Sequence, residues 1–268
     1  MTTTLVTPAK VLPPGAMTAK EAAEGSGLNL VVFGYGGCGK TTLIANAQDS
    51  DAGKDVFIID TDKGMQSLGD REDVVVWRGP DPTNKAMTWT DIVRIVEWLK
   101  TTEHTYRTIG FDSISAAYRI ALTEVMKASP TPDMPSQPEY GKANELVLSL
   151  IRDMKEAFSV QRGWNVVYTA HAEEVKDEST GMVLIRLAVT PGVVKGIYQI
   201  VDAVGYLAES PKDRSRKMIL KTTGKVVAKY RQPQTGPQVP LELDNPNLGR
   251  ILEHVKGTRT FPQKETSR

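Results

Sequence analysis

Residues Gly34 to Thr41 have the types and spacing of a phosphate-binding loop. They read Gly-Tyr-Gly-Gly-Cys-Gly-Lys-Thr and fit the pattern G-x-x-x-x-G-K-[ST]. An apolar segment of strand length precedes the loop, and residues 42–47, which can form a helix, follow it. A strand, a glycine-rich loop and a helix in this order form the context in which the pattern binds phosphate.

The chemistry of this loop follows from its residue types. Glycines adopt positive φ angles easily, so backbone N–H groups can turn toward phosphate oxygens, and the start of the following helix directs its positive dipole end at them. Lys40 would reach the β- and γ-phosphates of ATP, and the Thr41 hydroxyl would coordinate Mg²⁺. The candidate nucleotide-binding residues are Gly34, Gly36, Gly37, Cys38, Gly39, Lys40, Thr41 and Thr42.

The bulk composition is that of an ordinary globular protein. The 268 residues are 40% hydrophobic and 24% charged, with a net charge of +1, so no global field draws the chain to nucleic acid or to a membrane. Cys38 is the one cysteine, which excludes an intrachain disulfide and fits a reducing compartment. No apolar run is long enough to span a bilayer, and the N-terminus lacks the apolar core of a signal peptide. We therefore expect a cytoplasmic protein without membrane contact.

Apolar segments of strand length alternate with helical segments over most of the chain. The strands are apolar on both faces, which predicts an α/β fold with a mostly parallel sheet flanked by helices. Beyond His171 we expect a hairpin, a helix and C-terminal strands that extend the sheet in antiparallel fashion. The predicted strands are 28–33, 56–59, 74–77, 108–111, 164–170, 183–189, 203–207, 217–221 and 225–230, with the last two joined as a hairpin, and the helices are 88–101, 113–128, 139–160, 193–201 and a short one after Asn245.

Ionisable residues follow the predicted strands at the points where those strands end. Ligands of an open parallel sheet bind beyond the carboxyl ends of the strands, so these side chains are expected to share one site with Lys40. Asp112 would hold Mg²⁺ through water beside Thr41, and its alternative role is that of a helix N-cap. Asp62 could orient and deprotonate the attacking water, with Asp60 as the competing candidate.

His171 ends the predicted strand that begins at Trp164. It could donate a hydrogen bond to the γ-phosphate and so report the state of the nucleotide to the segment beyond it. The alternative is a strand-end histidine that pairs with backbone.

The order of these features resembles that of the RecA-like recombinase ATPases. The phosphate loop is followed by Asp60-Thr61-Asp62, then by Asp112-Ser113, then by His171, and finally by a basic strand that ends Lys229-Tyr230-Arg231. More narrowly, the chain resembles the phage-encoded RecA-like single-strand annealing ATPases. The resemblance spans about residues 28–257 and implies a single RecA-like P-loop ATPase domain over 27–258. Residues 1–26 are rich in Thr, Ala, Pro and Gly, and the last ten residues are mostly polar, so we expect flexible tails over 1–26 and 259–268.

The resemblance also implies roles for individual residues. Asp62 holds the position of the catalytic carboxylate, which is usually a glutamate in recombinases, and His171 holds a position that usually carries an amide. Lys229 and Arg231 resemble fingers that reach the γ-phosphate of a neighbouring protomer, and two residues apart on a strand they point the same way. The candidate catalytic residues are therefore Lys40, Asp62, Asp112, His171, Lys229 and Arg231, with Thr41 and Asp112 at the metal.

The function implied by the resemblance is DNA-stimulated ATP hydrolysis in an ATP-dependent protein that binds single-stranded DNA and promotes annealing in phage homologous recombination. Its partners would be single-stranded DNA, further copies of itself in a head-to-tail filament or ring with ATP at the interfaces, and a phage single-strand-binding protein, in the host-cell cytoplasm. DNA contacts of such proteins come from segments that correspond here to residues 129–141 and 172–196. A separate basic stretch, residues 212–231, has eight lysines and arginines and a single aspartate and suits contact with a polyanion.

Two other functions are compatible with the phosphate loop. A small-molecule or nucleotide kinase would need an acceptor pocket and usually an arginine-rich lid, for which residues 212–231 are a candidate. A non-hydrolysing ATP-binding module that recruits partners would need neither. The residue that stacks on adenine is not defined by the sequence, and Arg71 and Tyr35 are its candidates.

Overall fold

A sheet of ten strands forms the centre of the computed structural model, which describes residues 16–18, 20–21, 25–81, 86–131, 134–176, 178, 181–231 and 238–256. The strands are β1 (Asn29–Gly34), β2 (Val56–Asp60), β3 (Val75–Trp77), β4 (Thr108–Asp112), β5 (Asn165–Lys176), β6 (Val183–Leu187), β7 (Ala203–Glu209), β8 (Arg216–Ile219), β9 (Lys229–Tyr230) and β10 (Glu242–Asp244). The helices are α1 (Lys40–Ala45), α2 (Trp89–Thr101), α3 (Ile114–Met126), α4 (Gln137–Met154), α5 (Pro191–Ile200) and α6 (Leu248–Val255).

The order of strands across the sheet is β10-β8-β7-β1-β5-β4-β2-β3. The six strands from β7 to β3 are parallel to one another, whereas β8 runs antiparallel to β7 and β10 antiparallel to β8. The predicted α/β fold, with a mostly parallel sheet and antiparallel C-terminal strands, is confirmed.

Helices cover both faces of the sheet, as the apolar strands require. Alternate residues of a strand point to opposite faces, so Val31 and Phe33 of β1 pack in one core with helices α2 to α5. Leu30 and Val32 pack in the other core with α1 and α6. Burial on both faces explains why these strands are apolar without alternation.

Strand β7 departs from the predicted arrangement. We expected the strand at residues 203–207 to extend the sheet in antiparallel fashion, but β7 pairs with β1 in parallel. Residues Ala203–Leu207 are all buried, because β7 lies inside the sheet and not at its edge. Such a strand needs apolar side chains on both faces, and the antiparallel extension begins one strand later, at β8.

The predicted hairpin between residues 217–221 and 225–230 is also wrong. Strands β8 and β9 both pair with β7, one after the other along the same edge, and not with each other. The segment between them leaves the sheet, and its backbone groups are bound by threonine hydroxyls, since Thr222 Oγ1 donates to Ala228 O and accepts from Ala228 N. Hydroxyl groups that bind nearby backbone compete with strand pairing in this way.

Strand β5 is longer than predicted and does not end at His171. Its first half lies between β1 and β4, and its second half, Ala172–Lys176, pairs with β6 in the predicted antiparallel hairpin. We call residues 172–187 the hairpin arm; Asp177, Ser179 and Thr180 near its tip lie outside the described residues. The short strand β10 was not predicted.

The helix boundaries follow local capping signals. The Thr88 side chain accepts a hydrogen bond from Asp91 N, and the Asp91 side chain accepts one from Thr88 N. This reciprocal pattern is a capping box. Helix α4 begins two residues before the predicted Glu139, and a π-helical turn at Lys155–Val160 follows it. Most of the predicted N-terminal tail (1–26) and all of the predicted C-terminal tail (259–268) lie outside the described residues. None of the helices in the described ranges is long and apolar enough to cross a membrane.

Candidate functional site

The candidate site lies at the carboxyl edge of the parallel strands. In the pairing of β1 with β5, Gly34 at the start of the phosphate loop is opposite His171. In the pairing of β2 with β4, Asp60 is opposite Asp112. The phosphate loop, the acidic residues and the histidine lie on or directly after four different strands and therefore meet at one edge of the sheet.

The phosphate loop joins β1 to α1, and Lys40 is the first residue of the helix. Gly37 and Gly39 have φ angles of +79° and +93°, values that favour glycine and turn the backbone into a cradle. The Lys40 side chain is buried and folds back on the loop, where Nζ donates to the carbonyls of Gly34 and Tyr35 at 2.9 Å each. Both carbonyls compensate the buried charge, and phosphate oxygens can take their place.

Asp112, the last residue of β4, is hydrogen-bonded to threonines of the two neighbouring segments. Thr41 Oγ1 donates to Oδ2 of Asp112, and Thr169 Oγ1 donates to Oδ1. The N-cap of helix α3 is Ser113 and not Asp112, because the Ser113 side chain accepts from Ala116 N. The alternative role of Asp112 as a cap is therefore not observed, and its carboxylate faces the first turn of α1.

The Thr41 hydroxyl and the Asp112 carboxylate fit a magnesium ion by their chemistry. Both are hard oxygen donors, and Mg²⁺ typically takes one or two protein ligands while phosphate oxygens and waters complete its octahedron. Among the described residues, no group of three or more His, Cys, Asp or Glu side chains could hold a metal by itself. A metal here would therefore need the phosphates of a nucleotide, whose negative charge it would neutralise.

Asp62 lies just beyond β2 and is held by three side chains. Its Oδ2 accepts from Ser113 Oγ at 2.8 Å and lies 2.9 Å from His171 Nε2, and its Oδ1 accepts from Arg119 at 3.3 Å. The hydrogen bond with His171 is the main reason that the pKa of Asp62 lies below its ordinary value, and Ser113 and Arg119 lower it further. Asp62 is therefore a charged carboxylate at neutral pH, held between Ser113, His171 and Arg119.

Asp60 has a different environment, although it is only two residues away. Its side chain is fully buried, Oδ1 accepts from Gly64 N at 3.3 Å, and Oδ2 lies 3.2 Å from Nε of Arg78. Burial raises the pKa of Asp60, and Gly64 and Arg78 lower it in part. Asp60 thus supports the turn after β2, which leaves Asp62 as the carboxylate that is in contact with His171.

This arrangement can perform metal-assisted phosphoryl transfer to water. Lys40 and the loop N–H groups can bind phosphates, Thr41 and Asp112 can bind a metal, and Asp62 can orient a water for attack. His171 Nε2 contacts Asp62 and so couples the carboxylate to strand β5. The structure brings these predicted residues together, while their catalytic roles stay predictions.

Lys229 and Arg231, the predicted fingers, lie at the opposite edge of the sheet. Strand β9 pairs with Ala203 and Val204, the first residues of β7. Lys229 Nζ donates to the carbonyls of Tyr198 and Val201 at the end of α5. Arg231 donates to the carbonyl of Gln199 at 2.8 Å, and its side chain is 52% exposed. These cations stabilise the C-terminus of α5 and could reach only a nucleotide that another copy holds.

The basic stretch 212–231 is less positive in the fold than in the sequence. Arg214 and Arg216 face Glu209, and Lys217 and Lys221 pair with acidic residues of the unpredicted strand β10. An uncompensated basic patch is therefore not observed over strand β8.

The two candidates for stacking on adenine already have partners within the chain. Arg71 binds Asp49, Asp73 and the carbonyl of Ala45, which is the last residue of α1. The hydroxyl of Tyr35 donates to Glu174 on the hairpin arm at 2.9 Å.

Several residues of the site were not predicted. Thr169 precedes His171 by two positions on β5, so both side chains lie on the same face of the strand. This spacing could have identified Thr169 as a residue of the site. Ser113 directly follows Asp112 and was named only as part of the Asp112-Ser113 pair. Arg119 reaches Asp62 from the second turn of α3, and no motif indicates that contact.

Comparison with known families agrees with this geometry. A family model described as an AAA domain matches residues 26–232, which is well over half of the chain. No curated protein matches the sequence. The match covers the phosphate loop as well as Asp62, Asp112 and His171. The chain therefore belongs to the AAA domain family and is a nucleotide-binding ATPase with a P-loop NTPase fold.

Proposed function

We propose that this ATPase binds single-stranded DNA in an ATP-dependent manner, assembles head-to-tail on it and promotes annealing during phage homologous recombination, with Mg²⁺-dependent hydrolysis at the junctions between copies. One observation carries the proposal. Strand β5 runs without interruption from Asn165 through His171 to Lys176, so the candidate nucleotide sensor and the hairpin arm are parts of one strand. The arm lies within the segment, residues 172–196, in which the resemblance places DNA contacts.

A second connection joins the arm to the phosphate loop. Tyr35 donates its hydroxyl to Glu174 of the arm, and the carbonyl of the same tyrosine accepts from Lys40 Nζ. When Lys40 turns to a phosphate, that carbonyl loses its charged partner. Nucleotide binding thus changes the contacts of Tyr35, which also binds the hairpin arm. A local change of this kind can order a distant segment.

The acidic residues of the arm are partly compensated within the chain. Glu173 pairs with Arg186 at 2.9 Å, and Glu174 accepts from Tyr35. Nearer the tip of the arm, where Val183 is opposite Lys176, Met182 and Val183 are 46% and 49% exposed. Apolar side chains of this kind can pack against the faces of unpaired bases. Those faces are accessible in single-stranded DNA and covered in a duplex. The composition of the arm therefore favours contact with bases over contact with the phosphate backbone.

Head-to-tail assembly would use opposite edges of the sheet. The nucleotide site lies at the carboxyl edge, and Lys229 and Arg231 lie at the amino edge. A contact of one edge with the other is heterologous, so it repeats into a filament or closes into a ring. In either assembly Arg231, the more exposed of the two cations, can serve the nucleotide of the adjacent copy.

The test is ATP hydrolysis with and without single-stranded DNA. We expect single strands to raise the rate of hydrolysis severalfold and duplex DNA of the same sequence to have little effect, because paired bases are not available to the arm. As a second readout, a non-hydrolysable ATP analogue should increase the affinity for single strands, because the proposed DNA binding depends on ATP. Since coupling between two binding sites is reciprocal, single strands should increase the affinity for the analogue by the same factor. Equal rates with single strands, with duplex and without DNA would contradict the proposal.

Neither alternative is favoured by a specific observation. A kinase would need residues 212–231 as a mobile lid, but strands β8 and β9 bind this stretch into the sheet. A non-hydrolysing recruitment module would have no use for the contacts that hold Asp62 beside Ser113 and His171. Single-turnover hydrolysis separates that module from the proposed function.

A further inference from the structure

Arg216 packs directly against the phosphate loop. It is the first residue of β8 and lies opposite Glu209, the last residue of β7. A Cβ atom placed on Gly39 would lie 2.5 Å from Cζ and 2.7 Å from Nε of Arg216. The guanidinium group therefore touches the loop at the residue directly before Lys40.

The hydrogen bonding of this guanidinium is incomplete. Nε of Arg216 is buried and has no hydrogen-bond partner among the described residues, and the same is true of Oε2 of Glu209. These two atoms lie 3.7 Å apart, too far for a hydrogen bond. Buried polar atoms without partners are rare in proteins, and a functional role, a water or an ion is among their explanations. Arg216 can therefore accept a new anionic partner at small cost.

The position of Arg216 also fits one end of a nucleotide. Asp112 and His171 lie on β4 and β5, on one side of β1, and Thr41 contacts Asp112 there. The γ-phosphate is therefore expected on that side. Strands β7 and β8 lie on the other side of β1. A nucleotide whose γ-phosphate lies beside Asp112 would extend from its β-phosphate toward β7 and β8 and thus toward Arg216.

We propose that Arg216 binds the nucleotide in cis and contacts the phosphate groups that ATP and ADP share, on the α-phosphate side of the loop. The planar guanidinium suits two oxygens of one phosphate. Glu209 positions it, and Gly39 leaves room for it. This inference rests on nucleotide binding at the phosphate loop and is independent of DNA, so it can hold if the proposed DNA function fails.

The test is the affinity of the full-length protein for ATP and for ADP, measured by calorimetry without DNA. Arg216→Ala should weaken both by about ten- to a hundredfold and by similar factors, since hydrogen bonds between charged groups are among the strong ones. Arg216→Lys should lose less, because it keeps the charge but not the fork. Arg214→Ala is the matched control: Arg214 faces the same Glu209 but is 82% exposed, and we expect a change of less than about twofold.

The other outcomes overturn the proposal. Unchanged ADP affinity in Arg216→Ala would show that Arg216 does not bind nucleotide, and a loss for ATP alone would place it at the γ-phosphate. The melting temperature without nucleotide distinguishes a merely structural role, which would lower it in the variant. The proposal expects a similar melting temperature in wild type and variant, and a smaller rise in the variant when ADP is added. If Arg216→Ala does not fold, Arg216→Lys provides the same comparison.

Discussion

Replacing Lys40 with alanine is expected to reduce ATP hydrolysis by about a hundredfold or more, because a preorganised charge at the transferred phosphate commonly contributes that much. The lysine is buried and, without nucleotide, donates to the carbonyls of Gly34 and Tyr35. Those two carbonyls lose a partner in the variant but lie beside a loop that water can enter. We therefore expect a folded protein without activity, as judged by steady-state hydrolysis and circular dichroism.

A mixing experiment makes the Lys40→Ala variant informative about assembly. The variant keeps Arg231, and an Arg231→Ala protein keeps Lys40. If Arg231 serves the adjacent copy, a mixture of the two inactive proteins regains activity at about a quarter of its junctions, as random head-to-tail pairing requires. A mixture as inactive as its components would contradict a finger in trans, and wild-type hydrolysis by Lys40→Ala alone would contradict the site itself.

Replacing Asp62 with asparagine is expected to slow hydrolysis by about two to four orders of magnitude with little change in ATP affinity, the usual effect of removing a general base. Asparagine keeps the size of the side chain and can still bond Ser113, but it cannot take a proton from water. The measurement is the single-turnover rate at saturating ATP, together with the dissociation constant for ATP.

Asp60→Asn is the matched comparison for Asp62→Asn. Asp60 is fully buried beside Arg78, so its loss leaves that arginine without a charged partner and should lower the melting temperature by several degrees. It should change the rate of hydrolysis much less than Asp62→Asn does. The reverse pattern, with fast hydrolysis by Asp62→Asn and slow hydrolysis by a stable Asp60→Asn, would assign the base to Asp60.

The meeting of Lys40, Asp112 and His171 could be predicted because it depends on topology alone. Carboxyl ends of parallel strands share an edge, so residues that follow such strands meet there whatever the details of packing. The choice between Asp60 and Asp62 could not be made from the chain. Asp60 and Asp62 stand two residues apart at the end of the same strand, and contacts from other segments, such as that of Arg78 with Asp60 and that of His171 with Asp62, distinguish them.

Other features depend on contacts between distant segments and leave no local pattern. Strand β10 has three residues, too few to show a period, and forms because Leu243 can pack in the core beside β8. The direction of β7 is set by its place beside β1 and not by its own residues. The contact of Arg216 with Gly39 joins segments that lie 177 positions apart in the sequence. The sequence therefore predicted a basic surface patch over residues 212–231, whereas in the fold Arg216 contacts the phosphate loop.

The most direct test is a structure with Mg²⁺ and a non-hydrolysable ATP analogue. We expect Lys40 Nζ to leave the carbonyls of Gly34 and Tyr35 for the β- and γ-phosphates. Thr41 and Asp112 should no longer be in direct contact, and Asp62 and His171 should lie within reach of the γ-phosphate or its attacking water. A nucleotide bound away from the phosphate loop, or a γ-phosphate that points away from both Asp112 and His171, would contradict the proposed active site.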